Sequence, residues 1–289
     1  MAITLALLSS LLISGTTIIM KKGIERTNPT SAMLVVTPVG TLMLLAISLP
    51  RIQFSYLHSK AFLLFILAGL FSPAIVRWLY FISLDRIGPS MSSSILSTGP
   101  AFTAIIAATF LKEKLTVGIS LGILLIILGI IIFERDIQTD GKVAVRRKKD
   151  LIFAALAAFL VGAAIVIRKM GLNLLNEPLF GVTVGFATSL VFYTVLCLVF
   201  KDMRAAISLN RKNTFYLCGA GVFLTGGWLT LFFALSYGEA IIVAPLASLH
   251  PVMVLTWSYL FFKDMEKITS KTVFGVILVL IGVLLITLR

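Results

Sequence analysis

The chain has 289 residues, 59% of them hydrophobic and only 13% charged, with a mean hydropathy of +1.07 and a formal net charge of +13. Soluble domains are about half apolar and a quarter charged, so this composition excludes a soluble enzyme or a soluble nucleic-acid-binding domain and points to an integral membrane protein. The excess lysine and arginine lies between apolar runs, where a membrane surface rather than nucleic acid accounts for it.

A spanning helix needs about 20 mostly apolar residues, because hydrocarbon about 30 Å thick is crossed at about 1.5 Å per residue. Ten runs qualify: residues 3–20, 28–49, 61–84, 90–111, 116–133, 151–167, 179–200, 213–236, 240–262 and 271–288. They are continuously apolar rather than alternating, which predicts helices and not a barrel. The first run has no basic leader segment and is followed by "KKGIER", so it is read as a span and not a signal peptide. It carries a hydroxyl stripe of Ser10, Ser14 and Thr17, and the second run carries Thr37 and Thr41.

The third run contains Arg77, about 7 Å from its midpoint, beside Trp78, Tyr80 and Phe81. A guanidinium there either snorkels to the interface or faces a cavity, where its fork of donors suits a carboxylate or phosphate. In the fourth run Ser90, Ser93, Ser94, Ser97 and Thr98 form a helical polar stripe leading to Pro100. Proline removes a backbone hydrogen bond and displaces the carbonyl four residues earlier, so Pro100 predicts a kink with the Leu96 carbonyl freed.

The longest loop, 134–150, ends in "RRKK" (Arg146 to Lys149) and reads as a topology signal. Gly118 with Gly122 and Gly181 with Gly185 have GxxxG spacing, which serves helix packing. Arg168 and Lys169 are taken as loop charges after the sixth run. Cys197 and Cys218 fall inside spans and predict neither a disulfide framework nor a metal site. The ninth run begins at Glu239 and holds His250 and Pro251; Glu239 and His250 are the candidate proton-coupling groups. Glu113 and Asp264, flanked by lysines, read as solvated loop charges.

A shift of 151 residues lays "FISLDRIGPSMSSSILSTGP" (81–100) over "FFALSYGEAIIVAPLASLHP" (232–251), pairing Ser97 with Ser248 and Pro100 with Pro251. The register continues to "FLKE" (110–113) over "FFKD" (261–264). After a two-residue insertion it pairs Gly122 and Gly129 with Gly275 and Gly282. The expected organisation is a first repeat at 1–135, a basic inter-repeat loop at 136–150 and a second repeat at 151–289. Five helices per repeat is an odd number, so the fold class expected is all-α integral membrane, ten transmembrane helices as two inverted five-helix repeats. In this register Arg77 is matched by Trp228, so the halves differ there.

The segment from "LYFISLDRIGPSMSSSILSTGP" through "FLKEKLT" to the glycine-spaced fifth run, with its echo from Leu231 to Leu288, resembles the paired five-helix modules of EamA-like proteins of the drug/metabolite transporter superfamily. The resemblance covers nearly the whole chain and implies a ten-helix carrier working by alternating access on small metabolites such as amino acids, with helices five and ten outside the substrate path. It also implies termini in the cytoplasm. The charge count opposes this: the side holding the termini carries seven lysines and arginines against seventeen on the other, which puts the 134–150 loop in the cytoplasm and both termini outside.

The expected function is a plasma or inner-membrane secondary transporter exporting or exchanging a small anionic or amino-acid-like metabolite. Its candidate substrate-binding residues are Arg77, Tyr80, Ser94, Ser97, Thr98, Trp228, Ser248 and His250, with hinges at Pro100 and Pro251. The partners expected are that substrate, the bilayer and protons as coupling ion, with no nucleic acid, metal or cofactor; a monomer suffices. A proton-coupled exporter of lipophilic cations is the alternative, opposed by the base at Arg77, and a receptor or scaffold is a further one. HExxH and P-loop motifs are both missing, so the chain is not read as an enzyme.

Overall fold

A computed structural model describes residues 1–24, 29–137, 148–200, 211–254 and 269–288. The described residues are helical, with no strand among them. In chain order the principal helices are α1 (Ala2–Ile24), α2 (Pro29–Ser48), α3 (Lys60–Gly69), α4 (Val76–Ile87), α5 (Pro89–Leu96), α6 (Gly99–Phe110) and α7 (Val117–Ile137). There follow α8 (Leu151–Leu174), α9 (Pro178–Val199), α10 (Arg211–Tyr237), α11 (Ala240–Ala247) and α12 (Ser270–Thr287). Among the described residues eight helical stretches are long and apolar enough to cross a membrane; α3 with α4, and α5 with α6, each count as one. Two shorter apolar helices, Val117–Ile132 and Ala240–Val254, stand at the fifth and ninth predicted positions. Asp264, Arg146 and Arg147 lie outside the described residues, as does the side chain of Ser90.

The fourth and ninth runs are each interrupted, two residues before Pro100 and Pro251. Helix α5 ends at Leu96 and α6 starts at Gly99, while α11 ends at Ala247 and helix resumes at His250. The two breaks are built from the same bonds. The Ser97 amide donates to Ser93 O and that of Thr98 to Ile95 O; 151 residues on, Ser248 donates to Ala244 O and Leu249 to Leu246 O. The hydroxyls match too, Ser97 Oγ donating to Ser94 O at 2.8 Å and Ser248 Oγ to Pro245 O at 2.7 Å. A helix that loses a ladder bond to proline closes the gap with a tighter turn and a side-chain hydroxyl, and both repeats use that remedy.

The halves are joined reciprocally. Helix α1 packs along α10, and α8, its counterpart in the second half, packs along α3 and α4, the counterparts of α10. Helices α7 and α12 pack through glycines: a Cβ at Gly122 would stand 2.8 Å from Gly282 O, and one at Gly129 would stand 2.6 Å from Gly275 O. Gly122 is the register partner of Gly275 and Gly129 of Gly282, so each glycine meets the partner of the other. Such self-complementary, antiparallel contact is what a pseudo-two-fold axis between the helices produces.

Two expectations are corrected here. Helix α8 does not end at residue 167 but continues to Leu174, so Arg168 and Lys169 are helical and not loop charges. Glu113 is not a solvated charge: its two carboxylate oxygens each accept an N–H at 2.8 Å, from Ala240 and Ile241, at the start of α11. A carboxylate there satisfies donors that the helix leaves open and complements its dipole, tying the α6–α7 loop of one half to the other half.

Gly122→Leu is expected to force α7 and α12 apart, because its Cβ would meet the Gly282 backbone. Overpacking of this kind costs about 1–3 kcal/mol, read as a lower Tm in detergent. Gly219→Ala, whose Cβ has the Ile19 side chain at 3.7 Å, is expected to leave Tm unchanged.

Candidate functional site

The third span is broken at its middle, which hydropathy did not reveal. Its sequence there is "GLFSPAI", Gly69 to Ile75. Pro73 has no N–H and drives off the carbonyl of Gly69, four residues earlier, while the residue before a proline is pushed out of helical space. Ser72 has φ −143° and ψ 126°, an extended conformation between α3 and α4. Ser72 lies about 2 Å from the midpoint of Lys60–Ile87 along the helix axis, the depth at which broken helices of carriers build their sites.

Backbone out of helix at this depth is tolerated only where protein or a cavity satisfies it. Here α8 and α9 supply the donors. Ser189 Oγ lies 3.2 Å from Gly69 O, and Tyr193 Oη donates to Pro73 O at 3.1 Å and Ala74 O at 3.3 Å. The Ser72 carbonyl accepts from Arg168 Nη2. Close approach of α9 is possible because Gly69 faces Gly185; a Cβ on Gly69 would stand 2.7 Å from the Gly185 Cα.

Arg168 is only 2% exposed. Its guanidinium carbon lies 4.6 Å from the ring centre of Trp228 and 5.8 Å from that of Phe232. Among the described residues the one salt bridge joins Arg86 to Asp150, so no carboxylate there pairs with Arg168. Next to it, Lys169 Nζ donates to Leu235 O at 2.7 Å, and Glu113 and Glu239 both act on its charge.

Above this centre, toward the end of the bundle that holds the chain start, lies a cleft of about 270 Å³. Its walls include Arg51, Tyr56, Asn176, Glu177, Phe180 and Tyr237. Tyr56 Oη donates to Glu177 at 3.3 Å. Desolvation on burial, and then the Glu177 carboxylate beside it, push the Tyr56 phenol above its usual range. Between cleft and arginine stands a run of rings: Phe180 to Phe65 at 6.1 Å, Phe65 to Phe232 at 6.2 Å, and Phe232 against Arg168.

Of the residues expected to bind substrate, Trp228 reaches this centre, carrying Arg168 and not Arg77 on its face. Arg77 is half-buried on α4, and its Nη1 donates to the sulfur of Met33 on α2 at 2.8 Å. Tyr80 is half-buried one turn further on. Ser94, Ser97 and Thr98 lie at the α5–α6 break, where Ser94 Oγ is buried without a hydrogen-bond partner among the described residues. Ser248 and His250 flank the equivalent break after α11. Glu239 is the residue preceding α11. Arg168 escaped the sequence reading because a span was ended at its first charge, and Pro73, at the centre of the third run, was the available sign of the break.

The EamA-like transporter family profile matches residues 1–134 and again 148–288, and the chain belongs to that family. It is therefore a multi-pass membrane transport protein of the drug/metabolite transporter superfamily, built of two family modules, with a small molecule and the lipid bilayer as its partners. An uncharacterized protein, MJ1333.1 of Methanocaldococcus jannaschii, is 28% identical over 138 residues, 48% of this chain and 96% of that protein, which thus has about the length of one module. A protein of known crystal structure superposes with a TM-score of 0.83 over 99% of this chain and 96% of its own, at 15% identity, a likeness of fold.

Tyr193→Phe is expected to leave the Pro73 and Ala74 carbonyls without their side-chain donor. An unsatisfied buried acceptor costs about 1–3 kcal/mol, measured as a fall in Tm in detergent. Thr194→Val, which alters an exposed hydroxyl bonded within its own helix, is expected to change Tm little.

Proposed function

We propose that the chain is a secondary carrier that works by alternating access, exporting or exchanging a small metabolite with an anionic, amino-acid-like group. Ten spans form two inverted five-helix repeats, with both termini and the cleft on one face of the membrane. The observation that carries this reading is the broken third span, whose freed carbonyls are held by the second half around a buried base. Substrate would lie between the Ser72–Pro73 break and the breaks at Ser97 and Ser248, with Trp228 as an aromatic wall. The hydroxyls of Ser94, Ser97, Thr98 and Ser248 would supply polar contacts, Pro100 and Pro251 would act as hinges, and Arg77 and Tyr80 would line the path on the α2 side. Glu239 and His250 are the groups through which a proton would be coupled.

With Arg168 and Lys169 placed inside α8, the sequence count of seven bases on the terminal side against seventeen on the other keeps its sign. This supports a cytoplasmic 134–150 loop and external termini.

Purified protein in liposomes is expected to take up amino acids saturably and to exclude the matching amines that lack the carboxylate. Equal uptake of both removes the anionic reading. Single cysteines at Ser55 and Asn176 are expected to react with an impermeant maleimide from the outer face of intact cells, and one at Asp85 only after permeabilisation. The reverse pattern overturns the orientation.

A further inference from the structure

We infer that Arg168 is the carrier's carboxylate receptor, and that in this conformation the Ser72 carbonyl occupies the place the carboxylate takes. The inference rests on the carrier reading above and assigns its recognition residue. A guanidinium offers five N–H donors in a planar fork. Among the described residues Arg168 makes one hydrogen bond, to a neutral backbone carbonyl, and its faces lie against Trp228 and Phe232. Hydrogen bonds between two charged partners are roughly twice as strong as neutral ones, and a carboxylate takes the fork in two parallel bonds. An entering carboxylate therefore displaces the Ser72 carbonyl, while the aromatic faces remain to hold an apolar part of the substrate.

The exchange couples binding to movement. The segment from Gly69 to Ala74 is held by side chains from α8 and α9, and Arg168 is its only tether from α8 among the described residues. When the carboxylate takes Arg168, the Ser72 carbonyl loses its donor and the join between α3 and α4 is free to shift against α8. Access from the cleft requires Phe65, Phe180 and Phe232 to part, since these rings stand between the cleft and the guanidinium. Arg77 lacks these features: it is half-buried and bonded to the sulfur of Met33.

The test uses the full chain in nanodiscs with Trp78→Phe and Trp257→Phe, which leave Trp228 as the sole tryptophan. Iodide, a small anion, and acrylamide, a neutral quencher, are compared for quenching of Trp228. The iodide-to-acrylamide quenching ratio is expected to fall at least threefold in Arg168→Met and to be kept within twofold in Arg168→Lys. Benzoate, as the probe carboxylate, is expected to suppress iodide quenching more strongly than inorganic phosphate does. It is also expected to raise deuterium uptake in peptides covering residues 69–76 of the unsubstituted chain. An unchanged ratio in Arg168→Met, or benzoate without effect on both quenching and exchange, overturns the assignment; stronger competition by phosphate overturns the carboxylate preference. Should Arg168→Met not fold, Arg168→Lys decides by transport: loss of the carboxylate-over-amine preference in liposomes supports the fork, and an unaltered preference overturns it. If the wild-type liposomes move no amino acid at all, the carrier reading has failed, whereas quenching still reports on Arg168.

Discussion

Burial of the Arg168 guanidinium on the Ser72 carbonyl is the contact around which the centre of the protein is organised. A charge on a spanning helix costs from about 3 kcal/mol upward by insertion scales. A cation over a desolvated aromatic face returns about 2 kcal/mol, and a hydrogen bond from a charged donor about 1.5–3 kcal/mol. Trp228 and Ser72 supply those terms, so each side of the contact makes the other tolerable. The arginine is held by a carbonyl that only a broken helix could offer, and the break is held by a donor that only a long, charged side chain could bring. Because α8 belongs to one repeat and the broken span to the other, the same contact joins the halves at mid-depth.

Around that centre the frame is close to symmetric. The breaks before Pro100 and Pro251 use the same backbone and hydroxyl bonds, and the glycines of α7 and α12 meet reciprocally. The lining departs from the symmetry. The counterparts of Ser72 and Pro73 are Phe223 and Leu224, within an α10 that runs unbroken from Arg211 to Tyr237. Arg168 corresponds to Thr17, and Arg77 to Trp228. The duplication thus accounts for the matched frame, and these unmatched residues are where the two halves differ.

Much of the frame was legible in the sequence. Hydropathy located the eight described stretches that are long and apolar enough to span, because hydrocarbon thickness fixes their length. The 151-residue register located the matched breaks, because Pro100 and Pro251 act through their own covalent geometry on the turn before them. Pro73 obeys the same chemistry and stood in plain view, but no proline at position 224 echoed it and so the repeat did not draw attention to it. Glu113 looked solvated because flanking lysines are sequence neighbours, whereas the amides it caps lie 127 and 128 residues away.

By itself, then, the sequence determined the membrane class, the duplication and the positions of the paired helix breaks, all of which follow from local properties: apolar run length, residue spacing and proline geometry. Only the tertiary structure decided which arginine lies at the centre. Arg77 lies inside one apolar run and Arg168 just past the end of another, and position along a helix does not say which way a side chain faces. What separates them is contact across the fold: Met33 beside one, and the Ser72 carbonyl with the Trp228 ring beside the other.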